Sequence, residues 1–131
     1  AALPKFFNLS TFQERGFFDD TLNALRYAQK RAVATGCSVR VLVTGNAFSL
    51  SQPGANDRSQ CTSTTASHFT QAVPRPAGDG NYTGSQSGVS LSDAEVFFLP
   101  KGNAASAASL SVGSRRITVV KDTGFVYDST P

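Results

Sequence analysis

The sequence predicts an α+β domain, one long N-terminal α-helix packed on antiparallel β-sheet. Three observations carry this. The stretch Arg15 to Gly36, RGFFDDTLNALRYAQKRAVATG, is the one strong helical signal in the chain. Directly after Gly36 the apolar period drops from 3.6 to 2. From there on, apolar segments are short, alternating and bounded by turn formers.

Centred on Phe18, a helical wheel places Leu22, Leu25, Ala28, Gln29, Ala32 and Val33 on one side. This apolar stripe, roughly 140° wide, is enough to bury one face against a sheet. Phe18, Leu22, Leu25, Ala28 and Val33 are the expected helix–sheet packing residues. The other face carries Asp19, Asn23, Arg26 and Lys30. Acids early (Glu14, Asp19, Asp20) and bases late (Arg26, Lys30, Arg31) should complement the helix dipole. Gly36 is placed to cap the C-terminus at positive φ. Residues 1–14 should extend the helix N-terminally, with Pro4 tolerable only in a first turn or at a kink. Phe6, Phe7 and Phe12 are unusually apolar for a free terminus, so this segment is expected to pack on the domain or meet a partner. The expected organisation is a helix over 1–36 and an antiparallel β domain over 37–131, together one globular domain.

In Cys37-Ser-Val-Arg-Val-Leu-Val43, alternate residues share a face, and Gly45-Asn46 gives a two-residue turn into Ala47-Phe-Ser-Leu-Ser51. This reads as a β-hairpin. Residues 52–92 are rich in Ser, Thr, Gly, Pro and Asn. They should form an irregular surface region with one short strand around 68–73, anchored by Phe69, Val73 and Tyr82. Strand character returns at Ala94–Leu99, Leu110–Val112, Arg115–Val120 and Phe125–Tyr127. The C-terminal third therefore reads as an antiparallel meander.

Hydrophobic residues make up 40% of the 131 and charged residues only 16%. The balance is Ser, Thr, Gly, Asn and Gln, a composition common in secreted and cell-surface proteins. A net charge of +3 is far short of a dedicated nucleic-acid binder. The chain contains no Met. It opens on Ala1-Ala2-Leu3-Pro4, which predicts a processed or trimmed form. No run approaches the ~18 apolar residues of a membrane helix. Two cysteines, Cys37 and Cys61, favour a disulfide in an oxidising compartment, with two unrelated buried thiols as the alternative. Two Cys with the single His68 give no metal-ligand spacing, so neither a metal nor another cofactor is expected. No phosphate loop or nucleophile elbow is present, and Asp19-Asp20 diverge by about 100° on a helix. Asn8 and Asn81 begin Asn-x-Ser/Thr sequons. Arg115, Arg116 and Lys121 are the densest basic cluster of the C-terminal half, although neighbours on a strand point to opposite faces.

Asn23-Ala-Leu-Arg-Tyr-Ala-Gln-Lys-Arg-Ala32, followed by the strand Ser38-Val-Arg-Val-Leu-Val43, resembles the GspH/FimT family of type IV pilin-like proteins. That family carries a helix of the form (S/N)-A-L-x-x-A-(R/Q)-x-x-A before its first strand. Phe98-Leu-Pro-Lys-Gly102, Leu110-Ser-Val112, Ile117-Thr-Val-Val120 and Thr123-Gly-Phe-Val126 are similar to its F-x-P-x-G … I-x-V … T-G-x-V series. The match covers about residues 15–50 and 94–127, in order.

The resemblance implies the periplasmic part of a minor pilin, or of a minor pseudopilin of a type II secretion system. The helix would be the C-terminal half of a longer one. Its missing hydrophobic segment would anchor the protein in the inner membrane before assembly and pack in the filament core afterwards, with ALPKFF at the cut. The implied partners are other pilins or pseudopilins, the implied place is at or near the filament tip, and no catalysis is implied. Some members bind DNA through a C-terminal Gly-Arg-x-Arg type motif. Here Gly124-Phe125-Val126-Tyr127 carries neither arginine, which argues against transfer. A rival reading is a pilus-associated module holding DNA or a surface ligand through Lys101, Arg115, Arg116 and Lys121. A third is a small periplasmic enzyme centred on His68.

Overall fold

A computed structural model describes residues 9–54 and 58–131. The expectations for Pro4, Phe6 and Phe7 lie outside the described residues. The helix α1 runs Leu9–Thr35. Gly36 ends it at φ +66, its N–H donating to the Ala32 carbonyl at 3.0 Å. This left-handed cap returns the chain at no Cβ cost. The first turn holds no acid and the last turn no base. This corrects the expected dipole pattern, because Glu14, Asp19, Asp20, Arg26 and Lys30 all lie in the interior, beyond reach of the helix ends. Arg15 and Asp19 instead face each other one turn apart, at 3.9 Å in solvent.

The strands are β1 (Val39–Thr44), β2 (Ala47–Gln52), β3 (Gln71–Ala72), β4 (Thr83–Ser85), β5 (Ala94–Phe98), β6 (Ala108–Val112), β7 (Arg115–Val119) and β8 (Val126–Asp128). They form two antiparallel sheets. The larger has order β3-β2-β1-β5, with β4 also paired to β2; the smaller is the meander β6-β7-β8. The β1–β2 hairpin turns at Gly45 (φ +60) and Asn46 (φ +62), with Thr44 opposite Ala47. Two successive positive φ angles make a type I′ turn, whose twist matches the flanking strands.

The meander is therefore shorter than the sequence predicts. β5 leaves it and pairs with β1 along Val39–Val43. Nothing local distinguishes β5 from its neighbours, because Val96 and Phe98 alternate as Leu110 and Val112 do. Among its described residues, region 52–92 also holds two strands, not one, and two 3₁₀ turns, Arg58–Gln60 and Ala66–His68. Val89 and Leu91 are buried beside Phe69 and Val73 as further anchors.

The core lies between α1 and the inner faces of both sheets. Val39, Val41 and Val43 alternate into it from β1, Phe48 and Leu50 from β2, Val96 and Phe98 from β5. Leu110, Val112, Ile117, Val119 and Val126 do the same from the small sheet. On α1, Phe18, Leu22, Leu25 and Ala28 are buried, and so are Phe17, Thr21 and Ala24 on an adjoining flank. The stripe is wider than one sheet requires because the helix seats across two. Phe17 stacks on Phe48 of the large sheet at 6.0 Å between centroids. Phe18 lies under the Arg115 guanidinium of the small one. Val33 does not pack as expected and is 54% exposed. The buried face is centred toward Phe17, Thr21 and Ala24, so Val33 falls at its far edge, where its neighbour is Gly102, which has no side chain to cover it.

Candidate functional site

In this helix-on-sheet domain, the features with chemical content are the joints that fix helix to sheet. Three groups of polar side chains form them.

The first joint lies low on the helix. Ser114 Oγ donates to Glu14 Oε1 at 2.7 Å. Arg115 Nε lies 3.9 Å from the same oxygen, and its guanidinium sits 5.5 Å over the Phe18 ring. The β6–β7 turn that presents these residues bends at Gly113, φ +60. A side chain there would strike Glu14.

The second joint lies near the top. Gln29 Nε2 donates to two carbonyls, Gly102 at 2.8 Å and Thr123 at 3.0 Å. One turn earlier, Arg26 donates through Nε (3.3 Å) and Nη2 (3.1 Å) to the Val126 carbonyl. Val120 N–H donates to the Phe125 carbonyl, so the Val126 carbonyl faces the outer edge of β8. Arg26 therefore caps an edge that would otherwise offer pairing to another strand. Gly124 (φ +69) and Gly102 (φ +94) press together, and a Cβ on Gly124 would collide with the Gly102 carbonyl oxygen. The residues of the quoted helix motif, the F-x-P-x-G turn and the T-G-x-V turn thus meet at one point. Gln29 is the residue that joins them.

The third joint holds the helix end to the large sheet. Arg31 Nε donates to Gln52 Oε1 at 2.8 Å, and the buried Gln52 amide donates on to Thr35 Oγ1 and the Cys37 carbonyl. Cys37 and Cys61 form a disulfide. Ser38 reinforces it, its N–H and hydroxyl both donating to the Cys61 carbonyl.

The basic residues Lys101, Arg115, Arg116 and Lys121 do not come together as one patch. Arg115 faces α1 and is engaged by Glu14, whereas Arg116 is exposed on the opposite face of β7. Lys121 lies about 16 Å from Arg116 along the strand at ~3.3 Å per residue. The turns carrying Lys101 and Lys121 adjoin at that far end, where Ala104 N–H donates to the Lys121 carbonyl at 2.9 Å. Ser63 Oγ lies 2.7 Å from His68 Nδ1, but the same hydroxyl accepts the Thr65 N–H, which makes the pair a local turn. Among the described residues no cluster of three or more His, Cys, Asp or Glu could hold a metal. No helix among them is long and apolar enough to cross a membrane.

No protein-family profile matches the chain, and no curated protein matches it by sequence. Among solved structures it superposes on the minor pseudopilin EpsH from the type 2 secretion system of Vibrio cholerae. The TM-score is 0.63 over 95% of this chain and 98% of that one, at 15% identity. The fold is pilin-like. One long helix seated on antiparallel sheets is shared over nearly the whole length of both chains. Identity this low carries the architecture alone.

Proposed function

We propose that this protein is a minor pilin or minor pseudopilin of the GspH/FimT type, a structural subunit of a type IV pilus or type II secretion pseudopilus. In this reading it resides in the periplasm, anchored in the inner membrane before assembly, and stands at or near the filament tip. Its partners are other pilins or pseudopilins.

The likeness to EpsH over almost the full chain supports this most directly. The helix adds to it. One side of α1 holds both sheets, while Asp19, Asn23, Lys30 and Ala34 on the other remain exposed, and Phe12 near its start is 67% exposed. A helix clad on one side only suits packing among neighbouring helices. The DNA-binding alternative finds less support, because its four bases are divided between the two ends of β7.

Deletion of the gene in its host, scored for surface filaments and for protein secretion, tests the reading. Loss of either is expected. Phe12→Glu should fail to restore it while the purified domain keeps the wild-type circular dichroism spectrum. A deletion that leaves both filaments and secretion intact would overturn the proposal, and full restoration by Phe12→Glu would remove the helix from the assembly contact.

A further inference from the structure

A cleft of about 500 Å³ opens between the first half of α1 and the edge of the large sheet. Phe17, Asp20 and Asn23, spaced three apart on one side of the helix, form one wall. β4 and the loop before it form the other, through Arg75, Tyr82, Thr83 and Ser85, with Phe48 between them. Gly84 lets Phe48 lie this close, since a Cβ there would sit inside the van der Waals shell of the ring.

Two opposite charges face this space without meeting. Asp20 makes no ion pair or hydrogen bond with any described residue. Arg75 stacks over the Tyr82 ring at 5.5 Å and donates through Nη2 to the Thr83 carbonyl. Its remaining donors are unused among the described residues. Both charges act on the Tyr82 hydroxyl: burial raises its pKa, Arg75 opposes this and Asp20 adds to it. The β4 edge supplies a third element. Leu50 N–H donates to the Tyr82 carbonyl, which sets Tyr82 and Gly84 as the residues bonded to β2. The main-chain groups of Thr83 and Ser85 therefore point outward. Arg75 occupies the Thr83 carbonyl, leaving those of Ser85 facing the open edge.

We propose that this cleft binds a short zwitterionic peptide, its ammonium group held by Asp20, its carboxylate by Arg75 and its main chain by Ser85. The cavity lies in the range, about 300–1,000 Å³, that encloses small ligands. The unpaired acid rejects an anionic group at the helix wall, and the guanidinium rejects a cationic one at the loop wall. The cleft therefore selects ligands carrying both charges, in one orientation. The proposal is independent of any role in a filament.

The test is a titration of the ¹⁵N-labelled protein with di- and tripeptides at low salt, followed by amide shifts. Saturable shifts are expected at residues 17–23, 47–48 and 75–85. N-acetylation or C-amidation of the peptide should each weaken binding about tenfold, the effect of losing one charge-assisted contact in a partly enclosed site. In Asp20→Asn, whose exposed side chain leaves the fold untouched, the free and N-acetylated peptides should bind alike. Absence of saturable shifts, or equal binding of free and blocked peptides by the wild type, would overturn the proposal.

Discussion

Replacing Gly124 by Ala tests the second joint at its tightest point. Gly124 adopts φ +69, and a left-handed alanine costs about 1 kcal/mol. The larger effect is steric. The new methyl would collide with the Gly102 carbonyl oxygen, a backbone atom that cannot rotate away, and would crowd Gln29 Nε2. One of the two turns must move, and Gln29 bonds both, at 2.8 Å and 3.0 Å. Losing both bonds adds about 2 kcal/mol, for a total of about 3 kcal/mol. At about 3–4 °C per kcal/mol for a chain of this size, the melting temperature should fall by about 10 °C. Gly88→Ala is the matched control. Gly88 also sits at positive φ (+80), but nothing lies within 4 Å of its added Cβ. It should lose only about 1 kcal/mol, and the difference between the two variants isolates the close approach. Thermal melts followed by circular dichroism measure both. Gln29→Ala combined with Gly124→Ala should be less destabilising than the sum of the two, because they break the same bonds. Equal shifts for Gly124→Ala and Gly88→Ala would refute the reasoning.

Removing the disulfide by Cys37→Ser should cost about 3 kcal/mol, from the entropy released by opening a loop with a sequence separation of 24. Urea denaturation with and without reductant measures it, and two alkylatable thiols in the native wild type would contradict the bond itself. The Tyr82 phenol has a pKa raised above 10.0, chiefly by burial. The fold thus favours its neutral form, and that contribution is complete below the unfolded value and lost as pH rises through the folded one. As pH rises above about 10, the wild type should lose stability more steeply than Tyr82→Phe. Parallel urea midpoints over that range would show that Tyr82 contributes nothing.

Periodicity made α1 and the β1–β2 hairpin legible, since both are specified within a few residues. Gly36 and Gly45-Asn46 mark their ends because positive φ leaves few residue choices. The placement of β5 was not legible. Strand pairing is a long-range choice, and Ala94–Phe98 alternates just as the meander strands do. β4 was hidden for a different reason. Thr83-Gly-Ser85 has no apolar residue to alternate, and it pairs because Gly84 lies flat on Phe48. Val33 stands at the edge of a wheel centred on Phe18, and the wheel does not show that burial extends the other way, to Phe17, Thr21 and Ala24. The divergence of Arg115 and Arg116 follows from strand alternation and is legible in the sequence, whereas the adjoining of the Lys101 and Lys121 turns at the far end of β7 is a long-range contact that is not. The cleft was invisible for a related reason, because Asp20 and Arg75 lie on elements that only the β2–β4 pairing brings together.

The joints determine something that the core alone does not. Apolar side chains seat a helix on a sheet with little preference for its axial position, because a shift of one turn exchanges one set of contacts for a similar set. Short hydrogen bonds do not tolerate this. A slip of ~5.4 Å would break Ser114 to Glu14 at one end and Gln29 to Gly102 and Thr123 at the other. Both joints bind the small sheet, and the Arg31–Gln52 pair with the disulfide binds the large one. Each sheet is thus indexed separately to the helix. In the filament proposed here, neighbouring subunits would meet through α1, so the helix would set where each sheet stands on the outer surface. The polar joints are what would carry that position from the helix to the surface.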